Sequence, residues 1–261
     1  MDNFFKKGLT WTDQDVNDLI GDSSFFYNYT TLGFLSKKTP KKYNHILQEL
    51  PRIYNQLWTK VGVHLDEEVD LINCRNSINN AFSFITKYDS VCLGSTTKLI
   101  RSLHIIRNDS RGTDMSFSDP ELPFSIFVSI PKSDEVFYIE RLVESIIHES
   151  LHLQLTLIEK KENLYSDKES KTYSPWKNEP RNSVGILHAV YVFSKLKDFW
   201  YKVRNIIPND FNISRISNIT AELERINKND IRNFYTERGN QLLECCLNSL
   251  DERSQNTISI A

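Results

Sequence analysis

The segment VFYIERLVESIIHESLHLQLTLIEKK, residues 136–161, runs without a glycine or proline and constrains the fold more than any other stretch. Its apolar residues, Val136, Ile139, Val143, Ile146 and Ile147, then Leu151, Leu153, Leu155 and Ile158, recur at helical rather than strand spacing. They occupy so much of the circumference that the segment has to be a helix buried on most sides, with the remaining elements packed around it. Ser133, Asp134 and Glu135 just upstream supply an N-cap candidate and acidic residues suited to the positive end of the helix dipole. Inside the helix stands the pentapeptide HESLH, His148 to His152. A spacing of four residues is close to one turn, so the two imidazoles lie one above the other and can converge on one metal ion. Glu149, one residue on, can reach the solvent side of that ion. The plainer reading is a pair of histidines satisfied by hydrogen bonds at the edge of the core. Ile146, Ile147 and Leu151 make unpaired imidazoles costly to bury here, which favours the metal.

A chain of 261 residues with 39% hydrophobic and 25% charged residues is expected to be a folded soluble protein. No run of apolar residues is long enough to cross a membrane, and the start MDNFFKKGLTWTDQD lacks a signal-peptide apolar core, so a cytoplasmic location is expected. A net charge of −2 gives no case for nucleic-acid or membrane binding. Cys74, Cys92, Cys245 and Cys246 show no zinc-ribbon spacing and are expected as reduced thiols. With only eight glycines and eight prolines, tight turns are few and helix is favoured.

Along the chain, Thr12 to Asp15 opens a short first helix through Val16, Leu19 and Ile20. The aromatic run of Phe25, Phe26, Tyr27 and Tyr29 is expected to pack on the core. Thr39-Pro40 starts a helix over 41–61, kinked or split by Pro51, and 66–88 reads as another amphipathic helix. His45 and His64 in these regions have no partners at ligand spacing. From 91 to 130 the texture turns β-branched: 98–106 and 123–130 read as strands of a small sheet, with 108–123 a polar loop between them. Residues 162–181 read as a long polar connection of the kind that often carries function. Ser183 is the expected cap of the next helix, which holds His188; after Pro208, helices over 214–227 and 230–250 follow, then a polar tail. The expected architecture is a single mainly helical α+β domain over 1–261, with a small β-sheet and a metal site between two helices.

A catalytic metal site needs a third protein ligand. The metzincin extension requires glycine at position 155 and histidine at 158, where Leu155 and Ile158 stand, so that layout fails. A gluzincin layout requires a downstream glutamate on a second helix, for which Glu222 and Glu224 are available. His188, early in an otherwise apolar helix, is the other candidate.

The helix motif HESLH, then YSPWKNEPR, then GILHAVYVF, in this order and spacing, resembles the HExxH-type peptide β-hydroxylase family of bacterial clusters that make ribosomally synthesised, post-translationally modified peptides. The resemblance covers about residues 120–203. Lys177 departs from the arginine often found after the SPW tripeptide, and Asn182 from the usual proline. The resemblance implies an iron(II)- and 2-oxoglutarate-dependent oxygenase that uses O2 to hydroxylate a β-carbon in a precursor peptide, with His188 as third metal ligand beside His148 and His152.

Three ligands on one face leave positions for bidentate 2-oxoglutarate and O2; three imidazoles would replace the familiar two histidines and one carboxylate. Glu149 could then orient a water or the substrate. The far carboxylate of 2-oxoglutarate suits a bidentate arginine, and Arg181 is the candidate, its alternative being a surface ion pair. Trp176 and Tyr173 either wall the pocket or pin the loop. The runner-up is a zinc metallopeptidase with Glu149 as general base. A structural metal with a fourth protein ligand is a third possibility. The precursor peptide, the residue hydroxylated and the oligomeric state are not legible in the sequence.

Overall fold

The computed structural model describes residues 46–47, 71–100, 102–119 and 124–248; the expected first helix, the 25–29 aromatic run, His45, His64 and the tail lie outside them. The described residues fall into two compact units, 46–153 and 154–248. Helix dominates both, beside one mixed sheet and one hairpin, the mainly helical α+β class expected. Among the described residues no helix is long and apolar enough to cross a membrane.

In the first unit the most apolar short runs, Ser102–Ile105 (β2) and Ser125–Val128 (β4), lie side by side in parallel. Nearly every residue of both strands is buried, as expected for parallel strands covered on two faces. Ile46–Leu47 (β1) adds in parallel to β2, and Ser116–Ser118 (β3) adds antiparallel to β4, giving the order β1-β2-β4-β3. Three expectations are corrected here. Ile46 and Leu47, assigned to a helix over 41–61, are strand, because an apolar pair that can extend a sheet is captured by it whatever the local periodicity. The segment after Leu71–Tyr88 (α1) is a second helix, Ser90–Leu99 (α2), so the β texture begins at Ser102 and not at 91 or 98. Asp89 starts α2 by accepting the Cys92 N–H at 3.0 Å, and the Thr97 hydroxyl donates to the Leu93 carbonyl at 2.9 Å, an outlet that lets a threonine sit in a helix. The polar loop over 108–123 also contains β3, whose Phe117 stacks on Phe127 at 4.3 Å in a cross-strand pair.

The central helix, Tyr138–Lys161 (α3), begins after a turn in which Phe137 takes φ 57°, so the expected cap at Ser133 is not the helix start. The turn is held by charge. Arg141 bonds Asp114 at 2.7 Å and Glu135 at 2.7 Å, and Glu135 also accepts the Gly112 N–H at 2.8 Å, at a glycine with φ 74°. The hydrogen bond from Arg141, with that from Gly112, draws the Glu135 carboxyl down from its ordinary 4.5 to about 2.

In the second unit, the stretch expected as a structureless connection over 162–181 contains a hairpin: Lys171–Ser174 (β5) pairs antiparallel with Glu179–Asn182 (β6). Asn178 closes the four-residue turn with φ 54° and donates its N–H to the Ser174 carbonyl at 2.9 Å. Asn tolerates that left-handed backbone, which explains a hairpin without glycine. Asn182 then caps Ser183–Ile206 (α4) by accepting the Gly185 N–H at 2.9 Å. Ser183, the expected cap, is the first helical residue and donates to the Asp167 carbonyl at 2.7 Å. The buried face of α4, through Ile186, Leu187, Val190, Leu196, Trp200 and Val203, packs on Asp210–Glu224 (α5) and Glu237–Asn248 (α7). Helix α5 starts four residues before the expected position because Asn209 and Asn212 form a capping box. The helix expected over 230–250 is split into Lys228–Ile231 (α6), a 3-10 turn and α7, because Tyr235 pairs as a strand bridge with Tyr165. All four cysteines are free thiols, and burial pushes Cys246 up to about 12.

Two outcomes follow from this packing. The Glu135 contribution to stability is present above about pH 4.5 and is lost as pH falls toward 2; urea unfolding across that range should show the loss, and Glu135→Gln should flatten it. A Cβ on Gly239 would stand 2.0 Å from the Leu164 carbonyl oxygen, a backbone atom. Gly239→Ala should therefore destabilise the protein by about 1–3 kcal/mol in chemical denaturation, although alanine is the better helix former.

Candidate metal centre

Helix α3 is buried on nearly all sides by Leu142, Val143, Ile146, Ile147, Leu153, Leu155, Leu157 and Ile158. Beyond the first turn, where Tyr138 to Arg141 are all half-buried, the half-buried positions form one stripe, Glu144, His148, Leu151, His152, Thr156 and Glu159. The helix thus places both histidines where they keep access to solvent, as the four-residue spacing requires.

The two imidazoles meet. His148 Nε2 and His152 Nε2 are 3.1 Å apart, with the rings edge to face at 4.8 Å between centroids. That separation suits an N–H···N hydrogen bond between one donor and one acceptor. It equally suits two ligands of one metal, since with bonds of about 2.1 Å two nitrogens at this distance subtend about 95°, the angle of neighbouring octahedral positions. The donor set, two imidazole nitrogens, fits iron(II) as well as zinc.

Glu149 points elsewhere. Its side chain is 2% exposed, and the Ser116 hydroxyl of β3 donates to its Oε1 at 2.7 Å. Burial pushes this carboxyl up to about 7, against the pull of the hydrogen bonds from Ser116 and Ser118. The two serines sit two apart on one strand, so both side chains leave the same face of the sheet. Ser150, the next residue, donates to the Ile147 carbonyl at 2.8 Å.

His188 lies on α4, with its Nε2 3.0 Å from Glu159 Oε1, the two side chains 15% and 21% exposed. Tyr165 donates its hydroxyl to the same oxygen. Burial alone would raise the Glu159 carboxyl, but the bonds from His188 and Tyr165 outweigh it and leave it below the ordinary range. Burial and the neighbouring Glu159 carboxylate raise the Tyr165 phenol. Among the described residues no group of three or more His, Cys, Asp or Glu side chains is gathered as a metal-holding set. The structure brings His148 and His152 together, and pairs His188 with a carboxylate. Glu222 is half-buried on α5 and Glu224 is exposed at its end.

Arg181 is exposed on β6 and stands 3.6 Å from Glu179, the surface ion pair named above as its alternative. Trp176 stacks on Phe193 of α4 at 5.0 Å, and Arg215 of α5 lies over the same Phe193 ring at 5.4 Å. Tyr173 bonds Asn178 across the turn and accepts from Arg225 at 2.9 Å. Both aromatic side chains therefore pin the hairpin to the helices behind it.

Three participants were not singled out by sequence reasoning. Glu159 stands seven residues beyond His152, two turns on along the same stripe, a periodicity visible in the chain once the histidine face is drawn. Ser116 and Ser118 show only as an alternating Ser-Phe-Ser in a polar stretch, too short to mark a strand. No protein-family model and no curated protein matches this sequence.

Removing the Ser116 hydroxyl strips a donor from a buried carboxyl group. Ser116→Ala should lower stability by about 1–3 kcal/mol. In the Glu149→Gln background the same change should cost a different amount, a coupling read in a double-mutant cycle of urea unfolding.

Proposed function

We propose that the protein is a non-haem iron(II)- and 2-oxoglutarate-dependent oxygenase of the cytoplasm that hydroxylates a β-carbon in a ribosomally made precursor peptide, with His148, His152 and His188 as metal ligands. The observation that carries the reading is the pair of imidazole nitrogens 3.1 Å apart on the half-buried stripe of α3. The resemblance of the HESLH, YSPWKNEPR and GILHAVYVF segments to peptide β-hydroxylases supplies the reaction class.

Iron(II), when bound, supplies activation of O2 coupled to oxidative decarboxylation of 2-oxoglutarate. One oxygen atom enters the peptide C–H bond as hydroxyl and the other enters succinate, with CO2 released. The chain's own part is to bind and orient. The apolar packing of α3 fixes both histidines on a rigid element, and rigid support is what holds ligands in a productive geometry. Arg181 is the cation proposed for the far carboxylate of 2-oxoglutarate, in exchange for its 3.6 Å contact with Glu179. Trp176 serves the site by holding the hairpin on α4.

The zinc peptidase reading asks more of Glu149, whose carboxyl would have to reach a metal-bound water as general base. Its burial against Ser116 favours a role in tying β3 to α3. Aerobic incubation of the iron(II)-loaded protein with 2-oxoglutarate and a precursor peptide should add one oxygen atom to the peptide and yield succinate in equal amount. His188→Ala should lose metal and hydroxylation together. Peptide cleavage that is independent of 2-oxoglutarate and abolished in Glu149→Gln would instead establish the peptidase.

A further inference from the structure

Strand β3 ends its sheet: β4 lies on one side of it, and among the described residues no strand lies on the other. Met115, just before β3, turns both backbone groups to β4. Its carbonyl accepts the Ser129 N–H at 2.8 Å, and its N–H donates to the Ser129 hydroxyl at 2.9 Å. Backbone direction alternates along an antiparallel strand, so Phe117 also faces β4 while the N–H and carbonyl groups of Ser116 and Ser118 face outward. The side chains of the two serines have another task, since both hydroxyls bond Glu149. The outer edge of β3 is thereby tied to the residue next to His148, all within the first unit.

Donors and acceptors recur along this edge at about 6.8 Å, the two-residue repeat of an extended chain. A second extended main chain offers matching groups at the same repeat, and an unpaired edge is where such a chain adds. With three residues, β3 is too short to template open-ended stacking between copies of the protein. We propose that the outer edge of β3 binds an extended peptide as a further strand, Ser116 and Ser118 supplying two N–H donors and two carbonyl acceptors to its main chain. That this peptide is the substrate rests on the oxygenase reading of the site. Pairing to the edge would then set the peptide along α3 in steps of two residues, because a slip of one turns every side chain to the opposite face.

The test uses the full chain, 15N-labelled, and a random-sequence octapeptide library as the probe. Members retained by the protein are resynthesised and added back. In the free protein the Ser116 and Ser118 amide protons should exchange fast and that of Phe117 slowly. With a retained peptide bound, both serine amides should slow by about tenfold or more, with Phe117 unchanged. Methylating the peptide nitrogens one at a time should weaken binding about tenfold at alternate residues and less than about twofold between them. The modification sits on the peptide, so the fold of the protein is not at issue. A library with no retained member overturns the inference, as do retained peptides that leave both serine amides unprotected or a methylation pattern that does not alternate. Hydroxylation of a precursor peptide that leaves both amides unprotected also overturns it, and leaves the oxygenase reading standing. Protection of both amides by retained peptides, with no oxygen transferred to any precursor peptide, upholds the edge site and removes that reading.

Discussion

Burial of α3 on almost every side is the constraint on which the rest depends. Each fully buried aliphatic side chain contributes about 1.5–3 kcal/mol, and this helix has them around most of its girth. A helix so enclosed cannot turn about its axis without exposing apolar surface. The one stripe left partly open, from Glu144 to Glu159, is therefore fixed in direction by packing alone. The histidines inherit that fixity: their meeting at 3.1 Å follows from where the leucines and isoleucines are not. Polar residues on the buried sides are tolerated only with partners, which Glu149 finds in Ser116 and Ser150 in the Ile147 carbonyl.

The same logic explains how much could be read from the chain. The helix over 136–161 was legible because its apolar period is long and uninterrupted, and it came out as Tyr138–Lys161. Leu71–Tyr88 and Ser183–Ile206 were legible for the same reason. Strands β2 and β4 were legible as apolar β-branched runs. Short elements were not. A two-residue strand such as Ile46–Leu47 exists only because β2 offers an edge, which no local window records. The β5–β6 hairpin was hidden because its strands are polar and its turn uses Asn178 where a glycine would have announced it. Helix α2 was masked by Val91, Thr96 and Thr97, residues that favour strands until Asp89 caps them.

For the candidate centre, spacing alone placed His148 and His152, since i and i+4 on a helix leaves no freedom. His188 was singled out by its segment, and its carboxylate partner was not, because pairing between helices depends on how the connection between them folds. The polar composition of that connection reads as loop. Arg181 and Trp176 lie in it, and the hairpin explains their contacts: one faces Glu179 near the turn, the other lies flat on Phe193.

Asn182 has two tasks at once. It is the last residue of β6, paired with Lys171, and its side chain starts α4. With no linker between strand and helix, the register of the hairpin is also the rotational phase of the helix. Each residue gained or lost at this junction would turn everything downstream on α4 by about 100°. One insertion would swing His188 away from Glu159 and drive Leu187 or Val190 toward water. The length of the Arg181–Ser183 junction is thus under as tight a physical constraint as any side chain in the centre, although the peptide there carries no reactive group.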